Sequence, residues 1–174
     1  LICTPGAAKS MYSYNAWVPP PCYAMTRLNN DALVQQQLEK LFDHIRIVFA
    51  RGDAAHAQWI IDYFCFILQK PGVLTKVAIV LIGLEGIGKN VITDFITKLL
   101  GEHNVFQTDD PINTVFGKHS DGVKGKMLLI LDEAHKLNVV DDRMKNLITA
   151  PTLKVEYKNI QGNHLFRNTV NVIV

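Results

Sequence analysis

The residues with the clearest capacity for chemistry form the run Gly83–Asn90, with the sequence GLEGIGKN. This run matches the phosphate-loop pattern, in which a second glycine and a lysine follow the first glycine at fixed spacing, at every position except the last. Glycines let the backbone curl so that successive amide N–H groups point at phosphate oxygens, and the lysine adds a compact cation. The residues predicted to cradle the phosphates of ATP are Gly83, Glu85, Gly86, Ile87, Gly88, Lys89, Asn90 and Val91.

Asn90 occupies the position at which the pattern has Ser or Thr, whose hydroxyl ligates Mg²⁺. The side-chain carbonyl of Asn is also a hard oxygen donor, which Mg²⁺ accepts. We therefore predict Asn90 as a metal ligand, with ATP and Mg²⁺ as the cofactors. The alternative is a tight turn between strand and helix that carries a surface lysine.

A second chemically capable run, Asp132–His135 (DEAH), follows an apolar segment. Asp132 would hold Mg²⁺ through its waters, and Glu133 would orient and deprotonate the attacking water. An N-cap role for this acidic pair is the alternative, since acidic residues favour helix starts. His135 would either sense the γ-phosphate or be an ordinary surface or packing histidine, and the second assignment is favoured. The predicted catalytic residues are Lys89, Asp132 and Glu133.

The segments that precede the two motifs predict the strands that position them. Lys76–Ile82 and Lys126–Leu131 are short, apolar on both faces and suited to buried parallel strands. Ligands of open α/β sheets bind at the carboxyl edge, where both motifs would lie. Helices are predicted over Val91–Leu100 and Asp141–Ala150.

The alternation of strands and helices predicts an α/β fold with a mostly parallel sheet, here a P-loop NTPase core of the AAA+-like type. Leu153–Lys158 and Phe166–Val174 are predicted as two further strands, joined by the turn-rich Asn159–His164. This core is assigned to residues 73–174, with its carboxyl end truncated.

Two helical stretches precede the core, in residues 31–72. Apolar residues recur at helical spacing after the potential caps Asn30 and Asp31, and again after Asp53, which can cap a second helix. A helical hairpin that packs on the core explains both apolar faces. Residues 1–30 are rich in proline and are assigned to an extended segment or linker.

The composition excludes several classes of protein. A net charge of +2 gives no overall nucleic-acid signature, so a basic surface would have to be local. The three cysteines are scattered, without the spacing of a disulfide framework or a metal site. No apolar run approaches the ~20 residues that span a bilayer, so we expect a soluble intracellular protein without a membrane partner, in a viral replication compartment, host cytoplasm or nucleus. Both ends, Leu1 and Val174, are expected to be cuts in a longer protein.

The chain resembles superfamily 3 helicases and, within them, the primase-helicase ATPase family of viruses, phages and mobile elements, which includes the poxvirus-type primase-helicases. The DEAH-box helicases do not fit, because they use two tandem lobes and a hydroxyl-bearing phosphate loop. The stretches that carry the resemblance are Asn15–Trp17 with Asp62–Pro71, Gly83–Asn90, Phe116-Gly117 with Gly125–Ala134, and Lys145–Leu153 running into Val155–Lys158.

The resemblance implies an ATP-dependent helicase that acts on single-stranded or forked DNA. Such helicases form rings, with a hexamer as the expected size, and a hairpin from each subunit carries a lysine to the DNA backbone. By motif position this hairpin is Leu153–Phe166, with Lys158 as the principal contact and Lys154 and His164 beside it. An ordinary solvated hairpin is the alternative. The family also allows a primase domain upstream, and a sensor Asn and an arginine finger are expected downstream.

Two other functions compete with the helicase interpretation. A regulatory or loader ATPase would switch partner binding without unwinding. A small-molecule kinase would need a phosphoacceptor pocket and a mobile lid, often rich in arginine, and the sequence has no arginine cluster.

Overall fold

The computed structural model describes residues 17–25, 32–84, 86–117, 120–132, 141–156 and 163–174. Its helices and strands alternate along the second half of the chain, after two consecutive helices. The helices are α1 (Ala32–His44), α2 (Ala54–Gln69), α3 (Lys89–Leu100), α4 (Pro111–Thr114) and α5 (Asp141–Thr149). The strands are β1 (Ala78–Ile79), β2 (Val105–Thr108), β3 (Leu128–Leu131), β4 (Thr152–Glu156), β5 (Asn163–Arg167) and β6 (Asn171–Ile173). Shorter helical turns cover Pro21–Ala24, Glu102–Asn104 and Asp121–Val123, and a π-helical turn covers Ile45–Phe49.

Four of these strands form a parallel sheet in the order β1-β6-β3-β2. The remaining two strands, β4 and β5, form a separate antiparallel pair. The predicted α/β class with a parallel sheet is confirmed. All four residues of β3 are buried, as expected for a strand with neighbours on both sides and helices on both faces.

The sheet separates two hydrophobic clusters. On one face, Leu128 and Ile130 of β3 pack with residues of α2, α3 and the π-helical turn. On the other face, Leu129 and Leu131 pack with Leu147 of α5 and with residues around α4. The alternation of neighbouring residues between opposite faces follows from the two-residue period of a strand.

The helix α2 packs on the first face of the sheet, as its apolar stripe predicts. The helix α1 has no buried residue, and its Leu41 packs against the same cluster while partly exposed. Asp53 caps α2, because its Oδ1 accepts hydrogen bonds from the N–H groups of Ala55 and His56 at 2.8 and 2.9 Å. Between the π-helical turn and Asp53, Arg51 and Gly52 adopt positive φ angles of 51° and 85° and reverse the chain. The potential caps Asn30 and Asp31 lie outside the described residues.

The first strand is shorter and more exposed than the sequence predicts. Lys76–Ile82 is predicted as buried on both faces, but β1 covers only Ala78–Ile79, with pairing extended by the Leu81 N–H to the Val174 carbonyl at 2.8 Å. Val80 is 56% exposed and Ile82 is 85% exposed. The physical reason is the strand order, since β1 lies at the edge of the described sheet and has β6 on one side only.

The predicted strand Phe166–Val174 is wrong as a single element. Its first part belongs to β5 in the hairpin, and its last part forms β6 in the parallel sheet. Asn168 divides them, because its buried Nδ2 donates hydrogen bonds to the carbonyls of Leu147 and Ala150 at 2.7 and 2.9 Å. This anchor turns the chain from one sheet to the other.

Two elements that the sequence does not predict, β2 and α4, lie between α3 and β3. The strand β2 is only four residues long and pairs along its whole length with β3. Asp110 begins α4 by accepting a hydrogen bond from the N–H of Asn113, with Pro111 at the first helical position. None of the helices in the described part of the chain has the length and apolarity to cross a bilayer.

Candidate functional site

The segment Gly83–Asn90, predicted as a phosphate loop, joins β1 to α3, and two of its glycines adopt backbone angles that favour glycine. Gly86 and Gly88 have φ angles of 78° and 88°, in the left-handed region. A Cβ atom at position 86 would meet no atom within 4 Å, so the backbone angle alone accounts for that glycine. Position 88 is also crowded, because a Cβ atom there would lie 2.7 Å from Cε1 of His44.

The side chain of Lys89 reaches back to the start of the loop. Its Nζ donates a hydrogen bond to the carbonyl oxygen of Gly83 at 3.3 Å, so the ammonium group lies across the segment that the glycines curve. Lys89 is also the first residue of α3. The cation and the positive end of the helix dipole therefore act on the same space, which favours an anion there.

The start of α3 leaves backbone donors without a side-chain cap, because Gly88 is the N-cap residue and has no side chain. The Val91 N–H is engaged, since it donates to the Gly88 carbonyl at 3.1 Å. The Asn90 side chain is exposed, while its backbone carbonyl accepts a hydrogen bond from Thr93 Oγ1 at 3.1 Å. The N–H groups of the first two helical residues are therefore the donors best placed to bind an anion.

Asp132 follows directly after β3, at its carboxyl end. Its N–H donates to the Thr108 carbonyl at 2.8 Å, which continues the pairing with β2. Its carboxylate Oδ2 accepts a hydrogen bond from Nε2 of Gln107 at 2.8 Å. The carboxylate is half-buried and is oriented by a side chain from the neighbouring strand.

Lys89 and Asp132 lie at the same edge of the sheet. The strands β1, β6 and β3 are parallel neighbours, so the segments that leave β1 and β3 emerge from a common carboxyl edge. Because β6 lies between β1 and β3, the two strands are about 10 Å apart, twice the usual inter-strand spacing. The lysine loop and the carboxylate therefore leave the same edge of the sheet, two strands apart.

Three predicted site residues lie outside the described residues, namely Glu85 of the loop, Glu133 after β3 and Lys158 of the hairpin, and so does His135, for which a surface or packing role is favoured. Their predicted roles stay predictions. Among the described residues there is no group of three or more His, Cys, Asp and Glu side chains that could hold a metal ion. A magnesium site does not need such a group, since Mg²⁺ is often bound by one or two carboxylates together with substrate phosphates and water.

The two described hairpin residues predicted to contact nucleic acid lie on opposite faces of the hairpin. Lys154 pairs with Leu165, and His164 pairs with Val155, in the antiparallel register of β4 and β5. Adjacent positions of a strand point to opposite faces, so the structure does not bring Lys154 and His164 together. Both side chains are exposed.

Lys154 contributes to a cleft of about 540 Å³ between the hairpin, α5 and the segment after α4. Arg143 and Asn146 of α5 line the same cleft, together with Phe116. The Arg143 guanidinium lies 3.4 Å from the Phe116 carbonyl and remains exposed. Two cations, an amide and an aromatic ring therefore line one open groove.

Sequence reasoning missed Gln107 and His44, the side chains that touch the two motifs from outside. Gln107 lies in the unpredicted strand β2, and His44 lies at the end of α1, 44 positions before Gly88. Neither helical nor strand periodicity relates these two residues to the motif residues that they contact. Only the positions of the elements in the fold reveal these contacts.

Solved structures of the C-terminal region of NrS-1 share the fold of the chain. An A form apo structure has a TM-score of 0.69 at 23% identity over 91% of the chain. An apo structure of residues 305–718 has a TM-score of 0.68 at 23% identity, and an A form of the same residues has 0.67 at 24%, each over 91% of the chain. The chain spans 36%, 37% and 35% of these three structures respectively, about a third of each.

No curated protein matches the chain. A protein-family model does match, over residues 81–174, which is more than half of the chain and includes both motifs and the hairpin. The chain therefore belongs to the family of unknown function DUF5906.

Proposed function

We propose that the chain is the ATP-binding core of a nucleic-acid helicase that works in replication. The observation that carries this proposal is that the glycine loop with the Lys89 ammonium group lies at the same edge of the sheet as the Asp132 carboxylate, which directly follows β3. Gly86 and Gly88 supply the curvature, Lys89 supplies the charge, and Asp132 emerges two strands away. A P-loop NTPase core is the arrangement that needs all of these features together.

The residues present fit a magnesium nucleotide. The Lys89 ammonium and the first N–H groups of α3 would hold the β- and γ-phosphates. Asp132 would hold Mg²⁺ through bound water, and the side-chain carbonyl oxygen of the exposed Asn90 would be a second oxygen ligand. Bound Mg²⁺ would withdraw charge from the transferring phosphoryl group.

Side chains of the protein would supply the other parts of the hydrolysis mechanism. Lys89 would neutralise negative charge that develops on the phosphoryl oxygens as the bond to the γ-phosphorus breaks. Gln107 would keep the Asp132 carboxylate turned toward the metal water through their 2.8 Å hydrogen bond. Glu133 is proposed to accept a proton from the attacking water.

Coupling to nucleic acid is proposed to use the β4–β5 hairpin. Lys158, Lys154 and His164 are the proposed contacts with single-stranded or forked DNA. Lys154 has the strongest structural support, because it shares a cleft with Arg143 and Asn146. Contacts from lysine to phosphate do not depend on sequence, which suits a protein that moves along a strand. The resemblance to superfamily 3 helicases supports a homo-oligomeric ring as the working form.

The nucleotide site is tested with a Lys89→Ala variant and a fluorescent ATP analogue in the presence of Mg²⁺. Loss of a charged hydrogen-bond donor to phosphate should weaken binding about 10- to 100-fold. Lys98→Ala is the matched control, since Lys98 lies in the last turn of the same helix, far from the loop. Equal affinity of the wild type and Lys89→Ala would refute the assigned site.

A regulatory or loader ATPase is the second candidate function. The structure supports it at one point, because Lys154 and His164 do not share a face and the hairpin is therefore not a uniformly basic surface. Lys158→Ala separates the two functions in the longer protein. A helicase should lose unwinding and keep its basal ATP hydrolysis, whereas a loader should show no unwinding before or after the change.

A further inference from the structure

The side chain of His44 connects the helices that precede the sheet with the phosphate loop. Its Nε2 lies 3.1 Å from the carbonyl oxygen of Gly88. A carbonyl oxygen can only accept, so Nε2 carries the hydrogen and donates it. The same ring fills the space beside the Gly88 Cα, where a Cβ atom would lie only 2.7 Å from Cε1. His44 is therefore held to the loop by both a hydrogen bond and a steric fit.

The orientation of the Gly88 carbonyl determines the orientation of the next backbone N–H in the loop. It accepts a second hydrogen bond, from the Val91 N–H at 3.1 Å, which forms part of the first turn of α3. The peptide unit between Gly88 and Lys89 is planar, so the direction of its carbonyl fixes the direction of the Lys89 N–H on the opposite side. That N–H is one of the uncapped donors at the start of the helix.

The position of His44 is itself well fixed. His44 is the last residue of α1 and directly precedes the π-helical turn Ile45–Phe49. Its ring meets the Phe49 ring edge-on, with centroids 5.4 Å apart and planes at 89°. Ile45 is buried in the core that the helices share with the sheet. π-helical turns of this kind are rare and frequently lie at functional sites.

We propose that His44 is a positioning residue of the nucleotide site, which orients the Gly88–Lys89 peptide so that its N–H faces the phosphates. This inference rests on the proposed function. The hydrogen bond from Nε2 restrains the carbonyl, and the ring fills the space beside the Gly88 Cα. Without His44 the loop must be ordered when the nucleotide binds, which costs affinity.

Three variants separate the hydrogen bond from the packing. His44→Ala removes both, His44→Phe keeps a ring without the donor, and His44→Gln restores an amide donor at a similar reach. We expect His44→Ala and His44→Phe to bind the fluorescent ATP analogue with Mg²⁺ about 10-fold more weakly, the effect of one lost hydrogen bond. We expect His44→Gln to recover most of that loss. Thermal unfolding of each variant shows whether the fold is retained.

Arg46→Ala is the matched control. Arg46 lies two residues after His44, in the π-helical turn, but its guanidinium forms an exposed ion pair with Asp43 at 2.8 Å. This variant should bind the nucleotide like the wild type. Affinity of His44→Phe equal to that of Arg46→Ala would overturn the proposal.

A second measurement does not depend on nucleotide. Amide hydrogen exchange at Val91 reports how firmly the Gly88 carbonyl is held, and it should be several-fold faster in His44→Phe than in Arg46→Ala. Unchanged exchange at Val91 would overturn the proposal even if the wild type did not bind ATP. If the wild type fails to bind ATP but exchange at Val91 is still faster in His44→Phe than in Arg46→Ala, the proposed function is refuted. The role of His44 in holding the Gly88 carbonyl is then still supported.

Discussion

The amide nitrogen Nε2 of Gln107 lies 2.8 Å from Oδ2 of Asp132. Gln107 belongs to β2 and Asp132 follows β3, and these two strands pair in parallel register along their length. The sheet itself therefore orients the carboxylate that the proposed mechanism assigns to magnesium. A carboxylate that is restrained before the metal arrives loses less freedom when it binds.

Replacement of Gln107 by leucine should raise the magnesium concentration needed for half-maximal nucleotide binding by about 10-fold, since partners that orient metal ligands typically contribute 10- to 100-fold to metal affinity. The measurement is a magnesium titration at fixed concentration of the ATP analogue. Gln58→Leu is the matched control, because Gln58 makes the same 2.8 Å bond to a carboxylate, Asp62, on the exposed surface of α2. Identical titrations of both variants would show that Gln107 has no role in metal binding.

The opposite faces of the hairpin lead to a prediction about salt dependence. If Lys154 contacts one phosphate, Lys154→Ala should reduce the slope of log affinity against log salt for single-stranded DNA by about 0.7. His164→Ala should change this slope less, because His164 lies on the other face. Fluorescence anisotropy with a labelled oligonucleotide measures both. A larger change of slope for His164→Ala than for Lys154→Ala would mean that DNA binds the face of the hairpin opposite the cleft lined by Lys154, which would contradict the prediction.

Tyr63 gives a prediction about stability and pH. Its side chain is 5% exposed, and its hydroxyl donates to the Val172 carbonyl at 3.0 Å. Burial raises the pKa of Tyr63 to about 12, from an ordinary value of 10.0. The unfolded chain therefore releases this proton before the folded chain does. The resulting stability is complete below pH 10 and is lost as the pH rises toward 12.

Tyr63→Phe should lower the free energy of unfolding by about 1 kcal/mol at neutral pH, the usual value of one buried hydrogen bond. The difference between the variant and the wild type should shrink between pH 10 and 12, since phenylalanine cannot ionise. Urea unfolding at several pH values measures both effects. A difference that grows with pH in this window would contradict the assigned direction of the pKa shift.

Asn104 fastens the segment around Trp17 to the core. Its side chain is 1% exposed, accepts a hydrogen bond from Trp17 Nε1 at 2.8 Å, and donates to the carbonyls of Val18 and Leu100 at 3.0 and 2.9 Å. Asn104→Leu would leave these groups without their partner and should destabilise the fold by about 2 to 4 kcal/mol. The emission of Trp17, measured in a Trp59→Phe background, should shift to longer wavelength.

The control for this prediction is Asn113→Leu. Asn113 is exposed, and its side-chain amide donates a hydrogen bond to Asp110 Oδ2 at 2.8 Å on the surface, so its replacement should be nearly neutral. Equal destabilisation by Asn104→Leu and Asn113→Leu would contradict the claim that the buried hydrogen bonds of Asn104 stabilise the fold.

The sequence predicts those parts of the fold whose causes are local. The glycines of the loop, the cap at Asp53 and the apolar run that ends in Leu131 each determine their structure through neighbours in the chain. The carboxyl-edge position of Lys89 and Asp132 also follows, because parallel strands present their ends together.

Other features depend on partners that are distant in sequence. The exposure of β1 follows from its place at the edge of the described sheet, and the separation of β5 from β6 follows from the bonds of Asn168 to the end of α5. The contacts of Gln107 and His44 with the motifs arise only when β2 and α1 reach their positions. No periodicity in the sequence encodes such contacts.

The central claim is that the loop around Lys89 binds the phosphates of a magnesium nucleotide. The most direct measurement is a titration of the isotopically labelled chain with MgATP, followed through its backbone amide resonances. The account predicts the largest shifts at Gly86, Gly88, Lys89 and Asn90, with smaller changes at Asp132 and none at Lys154. Saturating MgATP that leaves the resonances of Gly88 and Lys89 unchanged would contradict it.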